Sequence, residues 1–400
     1  MDRIKDIIMV GNDIIPMQNN SSDRIVDFWN ARYLHEFIPA GGSKIKFVTG
    51  LEESGKTSML RQATAEAKEA GFLTVFFSAR DIWLYDFKFV FFEILRQARL
   101  EHLIIRCSDA IIRQMGFDSA NIPTGKTFID FLASENRNDA LERLEIRNLL
   151  RKRFKENPVM DNSFAIACSL LCGDCLGQPK LEPESKEHIF AWLTGQKGFR
   201  VTSLRPLGFS PVRISKFNAR RMLMSLCELA RISGYAGLFI AIDDVDVLVD
   251  KANYGLLHYT KMRREDTYES IRELVDDIDN FNNIMFVFGF DRSLIDDEKM
   301  GLKSYQALWM RIQNEVVSER FNKFADVIDL NRLASSMYTP EMLIELSQQL
   351  CSNVKEGKIP VPINADMAEQ ILTLSRLNGK SIPLLVRQAT LGSLMEKQEQ

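Results

Sequence analysis

No window of this sequence offers 18 uninterrupted apolar residues, so a membrane-spanning helix is not expected. A targeting segment is missing too. The start, "MDRIKDIIMVGNDII", mixes charges into its apolar run, and a cytoplasmic location is the expectation. Charge of one sign is also lacking. Fifty-one Lys and Arg stand against 54 Asp and Glu, a formal net charge of -3. No global basic field draws the chain onto nucleic acid or an anionic membrane, and any such contact must come from a local patch. Cysteines are few, six in all. Cys107, Cys168, Cys227 and Cys351 sit in apolar, helix-like surroundings and read as reduced core residues. Cys172 and Cys175 form a C-x-x-C, which is half of a zinc motif. Cys168 and His188 are the nearby candidates for a second ligand pair, and they do not make one. A buried helix end is expected there. Internal repeats and low-complexity linkers are missing as well.

What remains is an ordinary soluble composition, 46% hydrophobic and 26% charged. Four hundred residues exceed one ordinary core and point to two or three domains. "KIKFVTG", "GFLTVFFSARD", "YAGLFIAIDDVD" and "NNIMFVFGFD" read as strands, and "FADVIDL" as a fifth. Their continuous apolar cores mark strands buried on both faces, hence a parallel sheet covered by helices in an α/β domain. Residues from about 85 to 200 carry helical patterns and few strand signals, which suggests a helical insertion between the second and third strands. The helix in "NARRMLMSLCELARIS" should stop at Gly234. After "YTPEML" only helices follow, with start signals at Thr339 and Pro340, Asn364 and Ser381. The expected division is an N-terminal segment (1–30), a core (31–335) and a helical domain (336–400).

Chemistry concentrates in "KFVTGLEESGKTSML". Gly50, Gly55, Lys56 and Thr57 match G-x-x-x-x-G-K-[ST], after a strand and at a helix start. Such a loop cradles phosphates with backbone N–H groups and a helix N-terminus. Ser54 and Ser58 belong to the same cradle. Glu52 and Glu53 are tolerated because the variable side chains point outward. A second "GKT" (Gly125 to Thr127) lacks the first glycine, since position 120 is Ala120, and follows no buried strand.

The strand "LFIAIDDVD" ends in a pair of carboxylates. Asp243 suits Mg²⁺ together with Thr57, and Asp244 takes the position that polarises an attacking water. Asp291, ending the fourth strand, either orients that water or caps a turn. Arg311 and Arg320 precede the fifth strand; Arg320 either reaches a neighbouring subunit's site or forms a surface ion pair. Lys380, near a late helix start, is placed to reach a γ-phosphate.

The segments "FIPAGGSKIKFVTG", "TVFFSARDIWLYDF", "NARRMLMSLCELARISGYAGLFIAIDDVDVL" and "TYESIRELVDDIDN" carry a family likeness, as does "FDRSLIDDEKMGLKSYQALWMRIQNEV". Together they resemble the ATP-binding proteins associated with BREX-type bacterial antiphage defence. Those in turn resemble AAA+ ATPases of the origin-recognition kind. The resemblance implies an AAA+ core with a helical lid, ATP and Mg²⁺, and work beside other defence proteins, a helicase or a methyltransferase among them. It carries Lys56 and Thr57 to phosphates and metal, Asp243 to metal and Asp244 to the base. The sequence departs from the pattern twice. Asp244 replaces the usual glutamate, and "SIPLL" replaces an arginine beside the proline, which leaves lid sensing by Lys380 or Arg387 open.

Three roles follow: an ATPase that remodels DNA or a partner, a homo-oligomer included; a nucleotide-gated switch with little turnover; or a DNA-binding module. The last rests on Arg147, Arg151, Lys152, Arg153 and Lys155, and on Arg205, Arg213, Lys216, Arg220 and Arg221. Such charge runs are more often solvated helix faces.

Overall fold

The computed structural model describes residues 23–137, 140–250, 257–317, 322–353, 361–378 and 380–396. Residues 1–22 of the expected N-terminal segment, and Arg320, lie outside the described residues. Helix α1 (Asp23–Trp29) leads through a wider helical stretch (Asn30–Phe37) into β1 (Ser43–Gly50), α2 (Lys56–Glu69) and β2 (Leu73–Ser78). Between β2 and the next strand run α3 (Phe87–Ala98), α4 (Leu100–Gln114), α5 (Phe128–Ser134), α6 (Ala140–Leu150), α7 (Asn162–Leu176), α8 (Pro183–Leu193) and α9 (Ala219–Ile232). Then come β3 (Leu238–Asp243), α10 (Lys261–Asp277), β4 (Ile284–Asp291), α11 (Ser293–Asp296), α12 (Gln306–Val317), β5 (Val327–Asp329) and α13 (Leu330–Met337). Helices α14 (Pro340–Asn353), α15 (Ala365–Asn378) and α16 (Ile382–Glu396) follow.

The expected strands form one parallel sheet in the order β2-β3-β4-β1-β5. Its apolar runs divide by face, because successive side chains point opposite ways. Ile45, Phe47, Ile240, Phe286 and Phe288 join the large core shared with α3 to α9. Val48, Phe239, Ala241, Met285 and Val287 pack under α1 and α2. A sheet covered on both faces needs apolar residues at every position, and this is why the runs do not alternate.

The helix boundaries have local causes. Gly234, two residues past α9, takes φ +86°, a left-handed value that glycine adopts without strain. Asn364 Oδ1 accepts from Met367 N–H, and Ser381 Oγ from Leu384 N–H, at the starts of α15 and α16. Helices α14 to α16 close a separate small core around Leu343, Leu346, Ile371 and Val386. The C-x-x-C lies in α7, where Cys172 Sγ meets Ser108 Oγ at 3.2 Å. Among the described residues no helix is long and apolar enough to cross a membrane.

One buried charge breaks the apolar rule. Lys46, in the middle of β1, is fully enclosed. Its ammonium donates to Phe324 O (2.8 Å), Ala325 O (2.7 Å) and Asp326 Oδ1 (2.8 Å), which satisfies all three of its donors. The Tyr33 ring covers it at 5.0 Å. Burial pulls its pKa down, against the opposing pull of Asp326. The lysine thus staples the segment before β5 onto β1. Lys46→Met should lower stability by about 1–3 kcal/mol, because two carbonyls lose their donor while half-exposed Asp326 turns to water. The urea midpoint measures this; an unchanged midpoint would show that the staple carries no load.

Candidate nucleotide site

The site is built at the carboxyl ends of β1, β3 and β4, where open parallel sheets collect ligands. Pairing of β1 with β4 sets Gly50 beside Asp291, and pairing of β2 with β3 sets Ser78 beside Asp243. Register alone therefore gathers residues that lie far apart in sequence.

The loop from Gly50 to Gly55 is tightly made. A Cβ on Gly50 would sit 2.3 Å from Ser54 Oγ, so the close packing of that hydroxyl requires glycine. Glu53 and Gly55 both adopt positive φ, +57° and +93°. Gly55 caps α2 without a side-chain bond, so no capping side chain competes with a ligand for the N–H groups of the first turn. Ser54 Oγ is enclosed and has no hydrogen-bond partner among the described residues. Ser58 lies half-buried in the first turn. Lys56 Nζ donates to Gly50 O (3.0 Å) and Leu51 O (2.8 Å) and pairs with Asp291 Oδ2 at 3.3 Å.

Asp291 has both roles held open for it. One carboxylate oxygen faces Lys56, and the other caps the following turn by accepting from Ser293 N–H at 2.9 Å. Asp243 is buried, and its carboxylate accepts from Asp244 N–H at 2.9 Å. Burial raises its carboxyl pKa, the nearby Thr57 hydroxyl opposes this, and Asp244 adds to the rise. Gly289 of β4 makes room: a Cβ there would lie 2.7 Å from Asp243 Oδ1. Asp244 turns elsewhere. At φ +58° it accepts from Ser78 Oγ at 2.6 Å, with Arg80 at 3.8 Å.

Several residues here escaped sequence reasoning. Asp246 accepts from Asp291 N–H at 2.8 Å and pairs with Arg80 at 3.1 Å, tying the ends of β3 and β4. Arg80 reaches Asp250 as well, at 3.1 Å. Asn331 Oδ1 accepts from Leu51 N–H at 2.6 Å, and Arg292 N–H donates to Gly50 O at 3.0 Å. The surplus aspartates of "DDVDVLVD" were a visible signal for Arg80; Asn331 had none.

The two loop glutamates meet the last helix. Ser381 Oγ donates to Glu52 O at 2.9 Å, and Arg387 pairs with Glu53. Lys380 is exposed beside them. Arg311 is taken by Asp276.

The donor set suits Mg-nucleotide. Thr57 and Asp243 offer two hard oxygen donors on the same side of the loop, and Mg²⁺ ordinarily takes one or two protein oxygens plus phosphates and water. Among the described residues no cluster of three or more His, Cys, Asp or Glu could cage a metal alone. A glycine-cradled loop opening a helix beside a strand-end aspartate defines a phosphate-loop nucleotide-binding protein of the α/β class. The family of BREX system ATP-binding proteins, BrxC/D, matches residues 129–362, more than half of the chain, and the protein belongs to it. The matched span holds β3 to β5 with Asp243, Asp244 and Asp291, while the loop at 50–58 precedes it. No curated protein matches the chain.

Asp243 carries a testable strain. Its folded pKa lies above the unfolded one, so rising pH ionises it against the fold and lowers stability through that window. Asp243→Asn should therefore raise thermal stability at neutral pH by on the order of 1 kcal/mol. The gain should shrink as pH falls and be gone by about pH 3, below the unfolded carboxyl's pKa, where the wild-type group is protonated in both states. Melting curves at both pH values decide, and a variant less stable at neutral pH contradicts this account.

Proposed function

We propose that the protein is a Mg²⁺-dependent AAA+ ATPase, with a core at 31–335 and a helical lid at 336–400. In this reading it acts in a BREX-type antiphage system and couples ATP binding or hydrolysis to assembly or to remodelling of DNA or a partner. The observation that carries the reading is the glycine-cradled loop that opens α2 at Lys56 while β3 ends beside it in the buried Asp243, the arrangement that holds phosphates and Mg²⁺ in phosphate-loop NTPases. Mg²⁺, when bound, would be held by Thr57 and Asp243 and would supply positive charge that offsets the charge on the phosphate oxygens. Backbone N–H groups of Glu52, Glu53 and Gly55 to Thr57, with Ser54 Oγ, would bind the phosphates, since Leu51 N–H is already held by Asn331 and Ser54 N–H by Leu51 O. Lys56 would exchange the Gly50 and Leu51 carbonyls for phosphate oxygens. Asp291, paired with Lys56, would orient the attacking water, and Asp244 would act as base. Arg320 stays a candidate finger for a neighbour in an oligomer, and Lys380 a candidate sensor on the lid. Partners within the defence system, such as a helicase or a methyltransferase, belong to the same reading.

One observation favours a second role, a nucleotide-gated switch. The short Asp244 carboxylate is held by Ser78 and lies near Arg80. A base must come within hydrogen-bond reach of its water, so slow turnover follows from this geometry.

Lys56→Ala should lose ATP binding at least about tenfold while staying folded, since the lysine reaches the β- and γ-phosphates. Fluorescent-ATP titration checks this; wild-type affinity in a folded variant sinks the phosphate-site reading. Asp244→Asn should bind Mg-ATP normally and lower phosphate release about tenfold or more. A wild-type rate removes Asp244 as base, and a faster Asp244→Glu shows that side-chain length limits turnover.

A further inference from the structure

Between Glu187 and Glu228 the chain has no acidic residue and seven basic ones: Lys197, Arg200, Arg205, Arg213, Lys216, Arg220 and Arg221. Arg220 is engaged with Glu273 and Asp277 of α10. The other six are exposed and, among the described residues, form no ion pair. In a chain with a formal net charge of -3, this is a local departure from balance. Unpaired exposed cations repel one another, and they gain most from a polyanion that neutralises several at once.

The segment between α8 and α9 that bears them is held in place. Leu204, Phe209 and Ile214 point into the large core. The Trp192 indole packs on Phe209 at 6.0 Å and donates to Val212 O at 2.9 Å. Asn218 Oδ1 accepts from Ser215 N–H at 2.7 Å. Inward anchors thus alternate with the outward Arg205, Arg213 and Lys216. Phe217 projects with them, 86% exposed, and Lys216 Nζ sits 5.3 Å from its ring. An exposed ring beside cations on a fixed backbone needs little ordering on binding.

The other basic run behaves differently. Arg151 pairs with Glu156, and Arg153 turns inward to Cys107 O and Gln114. Glu142 and Glu145 share α6 with Arg147. Two of its five cations, Arg151 and Arg153, are thus answered within the fold, and no exposed aromatic ring stands beside the rest among the described residues.

We propose that the segment from Lys197 to Arg221 is a single-strand nucleic-acid contact. Its cations follow the phosphates, and Phe217 stacks on an unpaired base. A free π-face fits a single strand, because bases in a duplex are already stacked on one another. The surface lies between α8 and α9 and is independent of the phosphate loop after β1, so the proposal stands or falls apart from the nucleotide reading.

Fluorescence anisotropy tests it, using a fluorescein-labelled mixed-sequence oligodeoxynucleotide, alone and annealed to its complement. The wild-type full chain should prefer the single strand and weaken with added salt. The triple variant Arg205→Ala, Arg213→Ala, Lys216→Ala should bind about tenfold weaker or worse. Its slope of log affinity against log salt should flatten by about 2, at about 0.7 per lost phosphate contact. Phe217→Ala should weaken single-strand binding about tenfold with the slope unchanged. Lys56→Ala should bind the oligonucleotide as wild type does, and circular dichroism confirms that each variant is folded. The proposal is overturned if the folded triple variant keeps wild-type affinity and slope. It is equally overturned if the wild type binds no oligonucleotide at low salt, or binds phosphatidylserine vesicles instead.

Discussion

Parallel pairing of β1 with β4 is the constraint on which the site depends. The register runs from Ser43 beside Ile284 to Gly50 beside Asp291. A slip of one residue would put Phe47 and Phe288, now stacked at 5.5 Å, on opposite faces and carry Asp291 away from Lys56. Shape opposes such a slip more than polarity, because Phe288 and Gly289 would exchange faces in close-packed cores. The hydrophobic core and the polar site are therefore one specification: the packing that buries Phe286 and Val287 also aims Asp291 and opens the space that Gly289 leaves for Asp243.

Around that frame the strand ends are laced by carboxylates. Asp246 spans from β3 to the backbone of Asp291, Arg80 gathers Asp244, Asp246 and Asp250, and Asp329 holds Arg292. These groups fix the direction of the residues that face a phosphate. They are partly exposed, so their contribution lies more in orientation than in net stability. Asp246 itself is buried enough that its carboxyl pKa rises, and it retains the backbone bond from Asp291 all the same.

Sequence reading reached the parts whose signals are local. Five apolar runs became five strands, although "FADVIDL" yields only Val327–Asp329. The phosphate loop was legible because glycine, lysine and threonine lie within eight residues and follow a strand. The aspartates after β3 were legible for the same reason. Contacts across long separations were not. Nothing in "FFSARD" says that Ser78 and Arg80 hold the Asp244 carboxylate, 166 residues on for the serine. Lys46 carried no sequence signal of its own, and only the fold supplies the three acceptors that make it a staple. Register and chain crossovers create these meetings, and neither is written in a short window.

The contact between α16 and the two acidic residues of the loop has one more consequence. Ser381 and Arg387 meet Glu52 and Glu53 across 329 and 334 residues. Docking of the last helix and the shape of the loop thus form one equilibrium, and linkage between them is reciprocal. A ligand that favours the loop as the helix clasps it tightens that docking by the same factor by which docking tightens the ligand. A ligand that reshapes the loop loosens the helix in equal measure. The glutamates that look out of place in an anion-binding loop are, on this view, its means of communicating with the far end of the chain.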